Sequence, residues 1–175
     1  MKVASPTDTE LLLDLLNTTP VVDGHPRDDI GDIDVGQRWL AAHGEPSSAE
    51  EWRTAREVRS TLQAVVRGER PPGSVAPFVA GVSCRPTVEG AGIAWSLDLP
   101  EGRSAAARAV LAWGALSASS PGRLRPCANP ECRLFLLDHS KPNTARWCAM
   151  ATCGNRMKAR RHYERTRDAS SRRQQ

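Results

Sequence analysis

Five cysteines are distributed unevenly along the 175 residues: Cys84 stands alone, while Cys127, Cys132, Cys148 and Cys153 form two Cys-x4-Cys pairs fifteen residues apart. Each pair puts two thiolates on one short turn, and two such turns can offer four sulfur ligands to a single ion. Zinc is the metal that suits such a set. Four protein ligands leave no coordination position for water, so the expected ion is one structural Zn2+ rather than a catalytic one. In a reducing cytoplasm the same clustering favours ligation over disulfides. Cys84, beside a predicted strand, reads as a small buried apolar residue. His139 and His162 fall outside paired spacing and read as polar neighbours, not ligands.

Charge singles out the same region. Residues 1–122 carry 11 Lys+Arg against 16 Asp+Glu, whereas residues 123–175 carry 13 against 4, giving the chain its net +4. An acidic body joined to a basic C-terminal third is the pattern of an anion-binding module, and the polyanion available in a cytoplasm is nucleic acid. A merely solvated basic tail has the same composition, so charge alone leaves both readings open.

Other chemistries find little support. The apolar run of residues 11–16 is broken by Asp14, far short of the roughly 18 residues of a membrane span. The N-terminus shows no secretory signal, so the expected location is the cytoplasm, in association with the nucleoid. No glycine-rich phosphate loop or paired catalytic motif occurs. Asp14, Asn17, Asp23 and His25 are accounted for by capping, turns and helix surface. Asp32-x-Asp34 starts like a calcium loop, but Gln37 stands where that loop needs glycine and His43 where it needs glutamate. No catalytic residue is assigned, and no enzyme activity is expected.

These residues must be positioned by ordinary elements. Leu11, Leu12, Leu15 and Leu16 at helical spacing predict a helix over residues 10–18, capped by Thr7 or Asp8. Proline, glycine and aspartate make the following stretch a loop. Asp34 is expected to cap a second helix through His43, and Ser47 or Ser48 a third, whose stripe of Trp52, Ala55, Val58, Leu62 and Val65 ends at Gly68. Ile93, Trp95, Leu97 and Leu99 alternate as in a half-buried strand, paired with residues 82–88 across a turn at residues 89–92. Pro86 confines that partner to an edge or bulge. An alanine-rich helix over residues 104–117 precedes the linker at residues 119–122. Between the cysteine pairs, residues 133–137 and 144–147 are predicted to form a hairpin, and residues 154–167 a basic helix. Trp39, Trp52, Trp95 and Trp113 are expected in the core.

The string Cys127-Ala-Asn-Pro-Glu-Cys132, followed by Arg146-Trp147-Cys148-Ala-Met-Ala-Thr-Cys153-Gly154-Asn155-Arg156 and Lys158-Ala-Arg160-Arg161, resembles the bacterial CGNR zinc-finger family. Upstream, Leu13-Asp14-Leu15-Leu16-Asn17-Thr18 and the later Trp39-Leu40 resemble the ABATE domain that commonly precedes that finger. The resemblance implies zinc ligation by Cys127, Cys132, Cys148 and Cys153, and a stress-induced transcriptional regulator whose finger binds DNA. For the signature itself, Gly154 permits close packing at the metal turn, Asn155 can bond neighbouring backbone or reach DNA, and Arg156 can face a phosphate or a carboxylate.

The expected architecture is α+β. A mainly helical body with a small antiparallel hairpin occupies residues 1–120, a treble-clef-like zinc finger with a basic C-terminal helix residues 123–168, and a disordered tail residues 169–175. The expected function is zinc-dependent binding of duplex DNA through Arg156, Lys158, Arg160, Arg161, Arg165 and Arg167. The body is assigned to sensing a small-molecule effector or to self-association as a homodimer. The alternative is an RNA-binding or protein-interaction module.

Overall fold

The protein is described by a computed structural model covering residues 5–90 and 92–172. Helix α1, Pro6–Leu16, starts earlier than its leucines suggest, because Ser5 and Asp8 form a reciprocal capping box. Asp8 is therefore inside the first turn. Helix α2, Ile33–Ala42, is capped by Asp32, whose carboxylate accepts from the N–H groups of Asp34 (3.0 Å) and Val35 (3.1 Å). The expected cap, Asp34, is thus a first-turn residue. Helix α3, Ala49–Arg67, has the expected cap in Ser48 and the expected stop at Gly68.

Strands β1 (Val21–Val22) and β2 (His25–Pro26) form a small hairpin inside the stretch expected to be loop. Its turn, Asp23-Gly24, has positive φ at both residues, 50° and 81°, which is the geometry an Asp-Gly pair favours in a two-residue hairpin. A 3₁₀ helix, Pro72–Val79, leads to strands β3 (Ser83–Glu89) and β4 (Gly92–Asp98). The two strands pair antiparallel as predicted, from Ser83 opposite Asp98 to Glu89 opposite Gly92, so Glu89 and Gly92 belong to the strands rather than to the expected four-residue turn, and Ala91 lies outside the described residues. Helix α4, Ser104–Ser119, closes the body.

The core lies where α1, α3 and α4 meet. Leu11, Leu12, Leu15 and Leu16 pack with Ala55, Val58, Leu62, Ala105, Ala106, Ala109 and Ala112. Small alanines on α4 let the helices approach closely, and the apolar area removed from water is the main driving force. Trp39, Trp52 and Trp113 pack against this core as expected. Trp95 does not: it is 48% exposed on the hairpin, whose strands pack chiefly on each other, and Cys84 is only half-buried.

Two buried polar devices tie the helices together. Helix α4 has no side-chain cap of its own, and the Ala105 N–H donates instead to the fully buried Glu51 of α3 at 2.6 Å. Burial pushes the Glu51 carboxyl up from its ordinary value, against the opposing pull of the α4 amides. The buried Arg59 of α3 forks onto Asp28, at 2.6 and 2.8 Å, and also donates to Thr18. This pins the loop after β2 to the body.

Asp28→Ala leaves the Arg59 guanidinium buried without its counter-charge. Because Asp28 is itself partly exposed, the expected loss is about 2–3 kcal/mol at pH 7, below the upper range for breaking a buried pair. Burial alone would raise the Asp28 carboxyl, but Arg59 holds it below the usual carboxylate value. Its contribution is therefore full above the ordinary carboxylate range and is lost as pH falls through the depressed folded-state value. Urea midpoints should differ strongly at pH 7 and converge on acidification; equal midpoints at pH 7 would refute this account.

Strand β5, Leu124–Pro126, pairs with β6, Phe135–Leu137, and helix α5, Asn155–Arg172, ends the described chain. The expected strand over residues 144–147 is not formed. Residues 133–137 supply a strand, but its partner lies upstream of Cys127. Residues 138–147 are instead held by side chains: the buried Asp138 carboxylate accepts from the Ser140 and Ala145 N–H groups, both at 2.8 Å, and pairs with Arg125. Helix α5 carries through residues 169–172 of the expected tail, and residues 173–175 lie outside the described residues. Among the described residues the chain is about half helical, with three separate two-stranded antiparallel sheets.

Candidate metal centre

The first cysteine turn is shaped by its own backbone. Cys127 N–H donates to Leu134 O (2.8 Å), Cys132 N–H to Asn129 O (2.9 Å), and Asn129 Oδ1 accepts from the Glu131 N–H. Ala128 N–H reaches Arg146 O at 2.8 Å, drawing the second turn alongside the first. That second turn is a single π-helical turn, Met150–Gly154, running directly into α5. A Cβ on Gly154 would come within 2.6 Å of Met150 Sδ and 3.2 Å of Trp147, so only glycine fits there without displacing them.

All four Sγ atoms lie within 4.8 Å of one another. Cys148 Sγ is 3.7 Å from both Cys132 Sγ and Cys153 Sγ. A tetrahedral zinc ion with Zn–S bonds of about 2.3 Å spaces its sulfurs about 3.8 Å apart, so the spacing fits. No disulfide joins the five cysteines. The surroundings also suit thiolates: Cys148 N–H donates to Cys127 Sγ and Asn129 Nδ2 to Cys153 Sγ, each at 3.4 Å. Asn129 is 1% exposed, and its amide is spent on orienting a ligand.

Burial pushes the Cys132 thiol up to about 11 and raises Cys148 as well, each helped by the neighbouring sulfurs. At Cys153 burial works the same way but is outweighed by hydrogen bonds from Asn129 and the other thiols, which hold it below its ordinary value. A bound dication reverses the penalty for the whole set and keeps all four sulfurs ionised. The four cysteines would hold zinc as a closed structural site, whose contribution is folding energy. His139 and His162 are exposed and outside the cluster.

The signature residues after Cys153 point to local structure. Asn155 Nδ2 donates to Ala151 O at 3.4 Å, and Arg156 reaches Glu131 on the first turn at 3.9 Å. Arg160 pairs with both Glu131 (3.4 Å) and Glu164 (3.2 Å). Lys158, Arg161 and Arg165 lie on a different stripe, where together with Ala159, His162 and the acidic Glu164 they line an open surface depression. Among the described residues none of these three forms an ion pair, although Arg165 Nε donates to Arg161 O.

Sequence reasoning missed how the finger is mounted. Asn17, at the end of α1, accepts the Phe135 N–H at 2.7 Å and donates to Phe135 O at 3.3 Å. Phe135 is 2% exposed and belongs to the body's core. The Arg67 guanidinium lies 4.7 Å from its ring centroid and donates to Arg133 O. Residues 119–122 are thus a turn in the chain, not a break in the packing.

A helical body clasping a four-cysteine structural zinc finger defines the class of this protein. Residues 9–129 match the ABATE family, described as "putative stress-induced transcription regulator", and residues 123–166 match the CGNR zinc finger. The chain belongs to the ABATE family, with a CGNR zinc finger at its C-terminal end. Both are regulator or zinc-finger families rather than enzyme families. No curated protein matches the chain. No helix among the described residues is long and apolar enough to cross a membrane.

Proposed function

We propose that this protein is a zinc-dependent transcriptional regulator that binds duplex DNA through α5, with the body as its sensing or self-associating part. The observation that carries the reading is the placement of α5. The helix leaves the second cysteine turn with Lys158, Arg161 and Arg165 along an open stripe, and its side chains through residue 167 are exposed apart from the partly buried Met157. Residues 155–172 hold seven Lys+Arg against two acidic residues. Phosphate is the contact such a stripe favours, because it needs no sequence match. Arg156, Arg160 and Arg167 occupy the neighbouring stripe, where Glu131 already engages the first two. These six residues form the proposed nucleic-acid surface, with the first three as its main contacts.

The test compares Lys158→Ala/Arg161→Ala/Arg165→Ala with Arg156→Ala/Arg160→Ala on duplex DNA across a salt series, zinc content being measured in parallel. The triple variant should bind more weakly, with the slope of log affinity against log salt shallower by about 0.9 per lost contact. The double variant should change less. Unchanged affinity and slope in a zinc-replete triple variant would reduce these residues to solvated surface, and stronger binding to RNA than to duplex DNA would favour an RNA-binding finger.

A further inference from the structure

The β3–β4 hairpin turns its apolar side outward. Its register places Cys84 opposite Leu97, Pro86 opposite Trp95 and Val88 opposite Ile93, so all six share one face. The other face carries Ser83, Arg85, Thr87, Ala94, Ser96 and Asp98, with Arg85 and Asp98 joined in an ion pair. On the apolar face Val88 is 84% exposed, Ile93 66% and Trp95 48%. None of the six belongs to the body's core, and the two strands pack chiefly on each other. Cys84 and Leu97 at the base are half-buried, but among the described residues the outer part of the face, Val88, Ile93 and Trp95, is left open, and a two-stranded hairpin so exposed is marginal in water, which implies a cover. A strand added at either edge would leave the face open; only a second apolar surface laid across it removes it from water.

We propose that this face is where two copies of the chain meet, their hairpins packed face to face about a two-fold axis near Trp95. The face is complementary to itself. Antiparallel packing sets the exposed tip, Val88 and Ile93, over the partly buried base of the other copy, Cys84 and Leu97, and brings each Trp95 against the opposite Pro86–Trp95 rung. All six residues are apolar, so neither copy draws a charge into the contact, and the Arg85–Asp98 pairs stay on the outer faces. The exposed parts of Val88, Ile93 and Trp95 amount to roughly 350–400 Å² per copy. The pair thus buries about 700–800 Å², below the ~1,000 Å² at which stable specific interfaces begin, which sets a weak, concentration-dependent dimer centred on a tryptophan anchor. The inference rests on the self-association part of the reading above. Because the facing bodies carry the same net charge, salt should strengthen pairing, the opposite of its effect on DNA contact through α5.

The test is sedimentation equilibrium of the zinc-loaded full-length protein up to about 200 µM. A monomer–dimer equilibrium is expected, and Val88→Lys or Ile93→Lys should raise its Kd by about tenfold or more, since a charge in the contact must be desolvated. Both positions are exposed, so the variants should keep the wild-type circular dichroism and zinc content. Mild oxidation of zinc-loaded Val88→Cys should link it to Cys84 of the other copy, and Cys84→Ser should abolish that link. A wild type monomeric at the highest concentration, or lysine variants that dimerise as tightly as wild type, overturns the proposal, and a dimer without the cross-link overturns the antiparallel packing. Loss of DNA binding by the α5 variants leaves these results untouched, so the two readings fail separately.

Discussion

Cys148→Ser should yield a protein without stoichiometric zinc and with its finger unfolded. Cys148 is the most connected of the four: its sulfur is 3.7 Å from two others, and its N–H supports a third. A serine hydroxyl is a hard, weakly acidic substitute that zinc does not accept as a fourth ligand at neutral pH. Structural zinc contributes on the order of 10–16 kcal/mol to the folding of a finger-sized peptide, far more than the few apolar side chains of this segment supply. The damage should spread to the body, because Phe135 lies between the two cysteine pairs and its ring is part of the body's core. Zinc content by metal analysis and a urea melt of the whole protein read the two effects. A variant retaining about one zinc per chain with an unchanged melt would remove the metal from the account of this fold.

The second large effect is expected from Phe135→Ala, which touches no metal ligand. Emptying a fully buried aromatic site costs about 3–5 kcal/mol, and the Arg67 contact over the ring adds to the loss. Body and finger should melt in one transition in the wild type, and this substitution should lower that transition as a whole while zinc remains bound under native conditions. A fragment ending at Ser120 should be destabilised in the same way, having lost the ring that fills its core. If Phe135→Ala lowered stability by less than about 1 kcal/mol, the clasp between Asn17 and strand β6 would be a surface contact and the two parts would fold independently.

The cysteine site was legible because its geometry is local: two short turns bring their own ligands, and the fifteen residues between them need only return. Helix α3 was legible for the same reason, from Ser48 through Gly68. What could not be read is long-range. Asn17 and Phe135 are 118 residues apart, and neither carries a local sign that a helix end would grip a finger strand. Residues 133–137 announced a strand without saying which segment would pair with it, and the side-chain bonds of Asp138 took residues 138–147 out of the competition. Alternation at Ile93, Trp95 and Leu97 was read as burial within the chain. Period two establishes only that one face is apolar; it is silent on what covers it. Some local signals were also passed over: the caps at Ser5 and Asp32, and the Asp23-Gly24 hairpin, a two-residue turn with few flanking strand residues to draw notice.

The mounting of α5 has a mechanical consequence. The helix is held near its first turns, by the cysteine turn and the Glu131 pairs, and its 18 residues reach about 27 Å from that attachment. It is a lever with its pivot at the zinc. A tilt of about 10° at the pivot would swing the far end by about 5 Å, more than the 3.4 Å step between successive base pairs. Where the proposed α5 contacts would fall along a duplex therefore depends on how rigidly the cysteine turn and the Glu131 pairs hold the first turns of the helix, so its most distant charges are aimed from its base.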